Sequence, residues 1–315
     1  MRSMCSSMMI LAVLMVLAAF SGCGGGGDGQ LRAAFDAEFL ARPDGYPGLK
    51  EHYGFEFSTA PMQMDPGLMY RACADGAVDV ICGFATDGRI PAYDLKTLED
   101  DRGFFPPYYA APLVRQNTLA EFSQLRDILS QLGGTMTDKE MRQMNYEVDE
   151  NRRTAADVAR EFLVKKGLLE EGAEPGRGHA GTVVIGSKAF TEQEIIGEMM
   201  AQLIECSSEI AVDRKLGLGG TMVCFTALKA GDLDLYAEYT GTGLVNILDE
   251  EVISEPEKAY EAVQKAFQEK YGLTWLEPFG FNNTYTLTMR KPQAQKLGIE
   301  TISDLAGHLK ASRVN

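Results

Sequence analysis

In the stretch GSKAFTEQE, residues 186–194, a lysine (Lys188) stands just ahead of Thr191 and Glu194. That Thr-x-x-Glu spacing predicts a capping box at a helix start. An ammonium beside the unpaired amides of a helix N-terminus is suited to holding a carboxylate; a solvated loop lysine is the plainer alternative. Other candidates sit in Gly- or Pro-rich turns. EYTGTG carries Tyr239 and Thr242, FGFNNTY carries Tyr285, and ARPDGYPG carries Arg42. GFATDGR and FFPPYYA add Phe84 and Tyr108. Singly, each aromatic reads as packing. The set becomes a site only if it converges.

Catalytic signatures are absent. There is no HExxH, GxSxG, Walker A or CxxC, and no GxGxxG between a strand and a helix, so no enzyme is read here. GLGGT, residues 217–221, lacks the lysine of a phosphate loop and reads as a tight turn before a helix. Three histidines in the whole chain, with cysteines off metal-ligand spacing, give no metal site and no cofactor. Cys73–Cys82 and Cys206–Cys224 are possible disulfides in an oxidising compartment, and buried free thiols are the alternative. A formal net charge of −15 argues against a nucleic-acid partner, which needs clustered Lys and Arg.

The elements that must position these residues alternate between strand and helix. MDPGLMYRACADG has Pro66 at a helix start and Gly76 past its end, and VDVICGF follows as a buried strand. Residues 119–169 read as helical, with TDKEMRQMN and TAADVAREFLVKKGLL each capped by Thr. The rhythm resumes in TVVIG, FTEQEIIGEMMAQLIEC, TMVCFTALKAG and DLDLYAEY. The chain is α/β by pattern. EEGAEPGRGHAG, residues 170–181, has no apolar period and reads as a linker between two halves.

At the N-terminus, Arg2 precedes an apolar run at residues 8–20, too short to span a bilayer and ending in small residues. Residues 1–23 read as a secretory signal peptide, and FSGC resembles a bacterial lipobox with Cys23 as the lipidated residue. Residues 24–31 would be a Gly-rich tether, holding an extracytoplasmic body at the membrane.

Long segments carry a resemblance. IGSKAFTEQEIIGEMMAQLIE, LGGTMVCFTALKAGDLDLYAEYTGTG and FGFNNTYTLTMRK look like the N-terminal part of glycine betaine/choline-type osmoprotectant-binding proteins of ABC importers. EFLARPDGYPGLKEHYGFEF, MDPGLMYRACADGAVDVICGFATDGRI, LEDDRGFFPPYYAAPLVR and MTDKEMRQMNYEVD look like their C-terminal part. The order is swapped, so the chain resembles a circular permutant. A tandem copy that lost its outer halves, or a misassembled coding sequence, would give this order.

The resemblance implies a two-lobed, type II periplasmic-binding-protein-like fold that closes on its ligand like a hinge. It implies a contiguous lobe A at 112–277, containing the linker, and a split lobe B at 32–111 plus 278–315. It further implies an aromatic box of Tyr239, Tyr285, Phe84 and Tyr108 around a quaternary ammonium, which cannot donate hydrogen bonds and is drawn to ring faces. Phe84 stands where the family pattern has Tyr. Lys188, Thr242 and Arg42 would hold a ligand carboxylate, and Asn283 replaces the Asp of some relatives. The implied partners are a permease and an ATPase; a ligand-sensing subunit would share the pocket.

Overall fold

The computed structural model describes residues 30–314. The signal peptide, Cys23 and residues 24–29 of the tether lie outside the described residues. Ten strands form two mixed sheets. They are β1 (Ala33–Phe35), β2 (Met62–Gln63), β3 (Val80–Phe84), β4 (Leu95–Thr97), β5 (Ala110–Arg115), β6 (Thr182–Gly186), β7 (Ala211–Lys215), β8 (Leu235–Tyr239), β9 (Leu273–Trp275) and β10 (Tyr285–Arg290). The orders are β2-β1-β3-β10-β4 and β7-β6-β8-β5-β9. In each sheet the first three strands are parallel and the fourth runs antiparallel to its neighbours.

Those fourth strands are where the chain changes sheets. β5 follows β4 of the first sheet, and β10 follows β9 of the second. The two connecting segments meet at an antiparallel bridge between Tyr109 and Asn282. Register then makes the two sheets equivalent at their rims. Phe84, last residue of β3, pairs with Tyr285 of β10, and Tyr239, last residue of β8, pairs with Ala110 of β5. Ligands of open α/β sheets bind beyond the carboxyl ends of the parallel strands, and these are those ends.

Helices cover both faces of the second sheet. On one face Ile195, Ile196, Met199 and Leu203 of the helix Thr191–Ser207 pack with Val183, Ile185 and Leu163, all buried. On the other, Phe225, Leu228, Val263, Phe267 and Trp275 form a second cluster. Burial on both faces explains why TVVIG and LYAEY carry apolar residues without a strict alternation. The helices Asp138–Asp149 and Ala155–Lys165 begin at Thr137 and Thr154, whose hydroxyls accept the Glu140 and Asp157 amides as their sequences predict.

The Thr191 capping box does not form. The N-cap is Phe190, without a side-chain cap, so Thr191 is already the first helical residue and its hydroxyl sits one position too late. It donates instead to Asp149 Oδ1. Residues 170–181 contain no helix or strand and lie along the end of Thr191–Ser207, with Gly176 N donating to Glu205 O at 2.7 Å. Cys73, Cys82, Cys206 and Cys224 are free thiols. No helix among the described residues is long and apolar enough to cross a membrane.

Candidate functional site

A cavity of about 260 Å³ opens between the carboxyl ends of the two sheets. Phe84, Tyr108, Tyr239, Tyr285, Lys188, Arg42, Thr242 and Asn283 all line it. They arrive from distant parts of the chain. Phe84 and Tyr239 end their strands, and Tyr285 begins β10. Tyr108 and Asn283 lie on the two connecting segments, where Asn283 N donates to Tyr108 O at 3.1 Å. Lys188 sits between β6 and its following helix. Thr242 opens a π-helical turn, Thr242–Ile247, and Arg42 follows the helix Ala37–Ala41.

The rings form a continuous aromatic wall. Tyr108 meets Tyr285 edge to face at 5.7 Å between centroids. Tyr285 meets Phe84 at 5.3 Å, and Phe84 lies parallel to Phe190 at 5.9 Å. Phe190 in turn faces Tyr239 at 6.3 Å. Phe190 is a fifth ring that sequence reading missed; it was visible within SKAFTEQE, but nothing local separates a lining phenylalanine from a packing one.

Two of the three phenols at the wall, Tyr239 and Tyr108, are anchored behind it. Tyr239 donates to Glu192 Oε1 at 2.8 Å and Tyr108 donates to Asp44 Oδ2 at 2.7 Å. Burial pushes both phenols well above their ordinary range, with the adjacent carboxylates adding to it, so both stay protonated donors. Glu192 is itself buried and is held by Thr86, Asn145 and Asn283 as well as Tyr239. Its burial raises its carboxyl above the usual value despite these four donors.

Against the wall stand two cations, Lys188 5.1 Å from the centre of the Tyr239 ring and Arg42 5.4 Å from that of Tyr285, and neither is free. Lys188 Nζ donates to Glu238 Oε1 at 2.6 Å and to Thr221 Oγ1 at 2.9 Å. Arg42 clasps Asp44 through Nε at 2.8 Å and an Nη at 2.6 Å, and reaches Thr242 Oγ1 at 3.1 Å. Glu238 and Asp44 are fully buried. The expectation that Lys188 holds a ligand carboxylate beside the Thr191 helix start therefore meets a different arrangement, an internal ion pair beside the start of the helix Thr221–Ala230.

Glu38 completes this cluster. Its carboxylate accepts the Thr221 amide at 2.7 Å, joining the first-sheet side to the second. The Arg42–Thr242 bond, the Thr86–Glu192 bond and Arg142 donating to Ala85 O at 2.7 Å also bridge the two sides of the cleft. Two rings facing across it (Phe84 and Phe190) close the middle. Glu38 and Asp44 flank Arg42 at four residues before and two after, a spacing that marks local ion pairs but not the reach of Glu38 to Thr221.

Residues 17–165 and 181–315 both match the family described as the substrate binding domain of the ABC-type glycine betaine transport system. The chain is 39% identical over 145 residues to a carnitine transport binding protein of Listeria monocytogenes, covering 45% of this chain and 46% of that protein. It is 42% identical over 127 residues to an ergothioneine transport permease/ergothioneine binding protein of Helicobacter pylori, covering 40% of this chain and 22% of that protein. The chain thus spans about half the length, or less, of these curated relatives. A solved structure of a glycine betaine/carnitine/choline ABC transporter protein is 39% identical, covers 44% of this chain and 50% of that one, and superposes with a TM-score of 0.35. With both long segments matched, the chain belongs to the family of substrate-binding domains of ABC-type glycine betaine transport systems.

Proposed function

We propose that the cavity binds a small quaternary ammonium solute outside the cytoplasm, for delivery to a membrane permease driven by an ATPase. The observation that carries this is the convergence of five rings on a cavity whose two cations are already paired. Its volume of about 260 Å³ lies just below the roughly 300–1,000 Å³ typical of small-molecule sites, which suits a solute of few atoms. Ring faces attract a trimethylammonium by about 0.5–2 kcal/mol each, more when desolvated, and ask for no hydrogen-bond donor from it. The curated relatives carry carnitine and ergothioneine in their names, and each of those molecules bears a trimethylammonium. Calorimetric titration with choline, glycine betaine, carnitine and proline betaine tests the reading; heat from none of them rejects it. Cys23, if lipidated, would hold the protein at the membrane surface, and mass spectrometry of the mature N-terminus decides that.

We further read the chain as a circular permutant, with one lobe at 112–277 and the other at 32–111 plus 278–315. Supporting this, one family matches on both sides of residues 166–180, and the chain changes sheets at β5 and again at β10. The 170–181 segment would then join former termini. A protease site placed at Glu174–Pro175 is expected to yield a nicked protein that stays one particle and keeps its ligand affinity. Fragments that separate on size exclusion without denaturant would mean two independent globules instead.

A further inference from the structure

The anion end of the cavity holds three carboxylates against two cations. Glu238 belongs to Lys188 and Asp44 to Arg42, and the side chains of both acids are 0% exposed. Glu38 is different. Its side chain is 36% exposed, and it is seated on the start of the helix Thr221–Ala230. Oε1 accepts the Thr221 amide at 2.7 Å and Oε2 accepts the Thr221 hydroxyl at 3.2 Å. That hydroxyl in turn accepts from Lys188 Nζ at 2.9 Å. An Arg42 Nη lies 3.4 Å from Oε2. A carboxylate at a helix N-terminus beside an ammonium and a guanidinium is what a bound anion would look like there.

The seat is shaped for it. A Cβ on Gly220 would stand 2.2 Å from Glu38 Oε1. Gly220 has φ −85°, which any residue can adopt, so its small size serves the close approach of the carboxylate and not the backbone. Burial works to raise the Glu38 carboxyl, but the Lys188 charge and the Thr221 amide outweigh it and hold the group below the usual carboxylate range. Glu38 is therefore ionised at neutral pH.

We propose that Glu38 is a built-in carboxylate that fills the anion end of the cavity, so that the preferred ligand is a quaternary ammonium without a carboxylate of its own, a choline-like amino alcohol. This rests on the quaternary-ammonium reading of the rings. A ligand that brings its own carboxylate meets Glu38 on the same donors and must displace it, against like-charge repulsion. A hydroxyl can instead donate to Glu38 and leave the seat occupied. Glu38 then sets discrimination between zwitterionic and purely cationic ligands, acting by exclusion as well as attraction.

The test is calorimetric titration of choline and glycine betaine into the wild type, Glu38→Gln and Glu38→Ala, with thermal midpoints recorded for each. The wild type should favour choline, and both variants should gain affinity for glycine betaine on the order of tenfold or more while choline changes less. Glu38→Gln keeps an acceptor for the Thr221 amide and guards against a folding defect. If glycine betaine affinity stays level or falls in both variants while choline still binds, Glu38 is only a brace across the cleft and the proposal is overturned. A wild type that prefers glycine betaine overturns it too. Binding of neither ligand by any form would reject the ring reading beneath it.

Discussion

Tyr285→Ala and Tyr239→Ala are each expected to weaken a quaternary ammonium ligand by about 2 kcal/mol or more, roughly thirtyfold in Kd, in protein that remains folded. Tyr285 is the hub of the wall, touching Phe84, Tyr108, Phe39 and Phe105 through ring contacts of 5.0–6.3 Å. Its loss removes a π face and lets water reach the neighbouring rings. Position 84 separates recognition from packing. Phe84→Tyr keeps the face and should be mild. Phe84→Leu keeps apolar bulk without a face and should be clearly worse for the ligand, although Leu substitutes tolerably for Phe where only volume matters. Affinity measured beside the thermal midpoint distinguishes these. Rings that serve only as core would show Ala variants with lowered midpoints and unchanged affinity per folded molecule.

Arg42→Ala is expected to lower unfolding free energy by about 3–5 kcal/mol, because it leaves a carboxylate buried without its counter-charge. Asp44 is 0% exposed and takes two bonds from the guanidinium, at 2.8 and 2.6 Å. The same substitution breaks the bond to Thr242 across the cleft and removes the cation 5.4 Å above the Tyr285 ring. Arg42→Lys retains charge but not the planar fork, so it should fall between the two. Urea unfolding monitored by far-ultraviolet circular dichroism gives the number. A loss below about 1 kcal/mol would equal that of an exposed pair, and would mean the Arg42–Asp44 contact is wet in solution.

Local structure was legible wherever a local rule governs it. TVVIG forms β6 residue for residue, and Thr137 and Thr154 cap the helices they precede. Pro66 opens its helix, and GLGGT turns through Gly217 and Gly219, both at positive φ, before the helix that begins at Thr221. The Thr191 box failed by a single residue, which a propensity rule does not resolve when Phe190 is already extended at φ −152°.

Seven of the site residues stood out as loop candidates, the resemblance joined them into one site and added Asn283, and the cavity gathers all eight. What escaped the sequence was charge pairing. Lys188 finds Glu238 fifty residues on, and Glu38 finds Thr221 across 183 residues. No periodicity encodes such partners, because they are set by where elements distant in sequence meet in the folded chain. Lone cations on loops therefore read as open to a ligand, while the fold had already supplied each with a carboxylate.

On the quaternary-ammonium reading, charge on the ligand, sensed by ring faces, drives binding. Choline and 3,3-dimethyl-1-butanol share a shape, with a neutral carbon in place of the ammonium nitrogen. Titrating both into the wild-type protein at moderate salt isolates the charge. Choline is expected to bind at least about a hundredfold more tightly, as two or more desolvated cation–π contacts would give. Equal affinity for the neutral isostere would show a plain apolar pocket and contradict it.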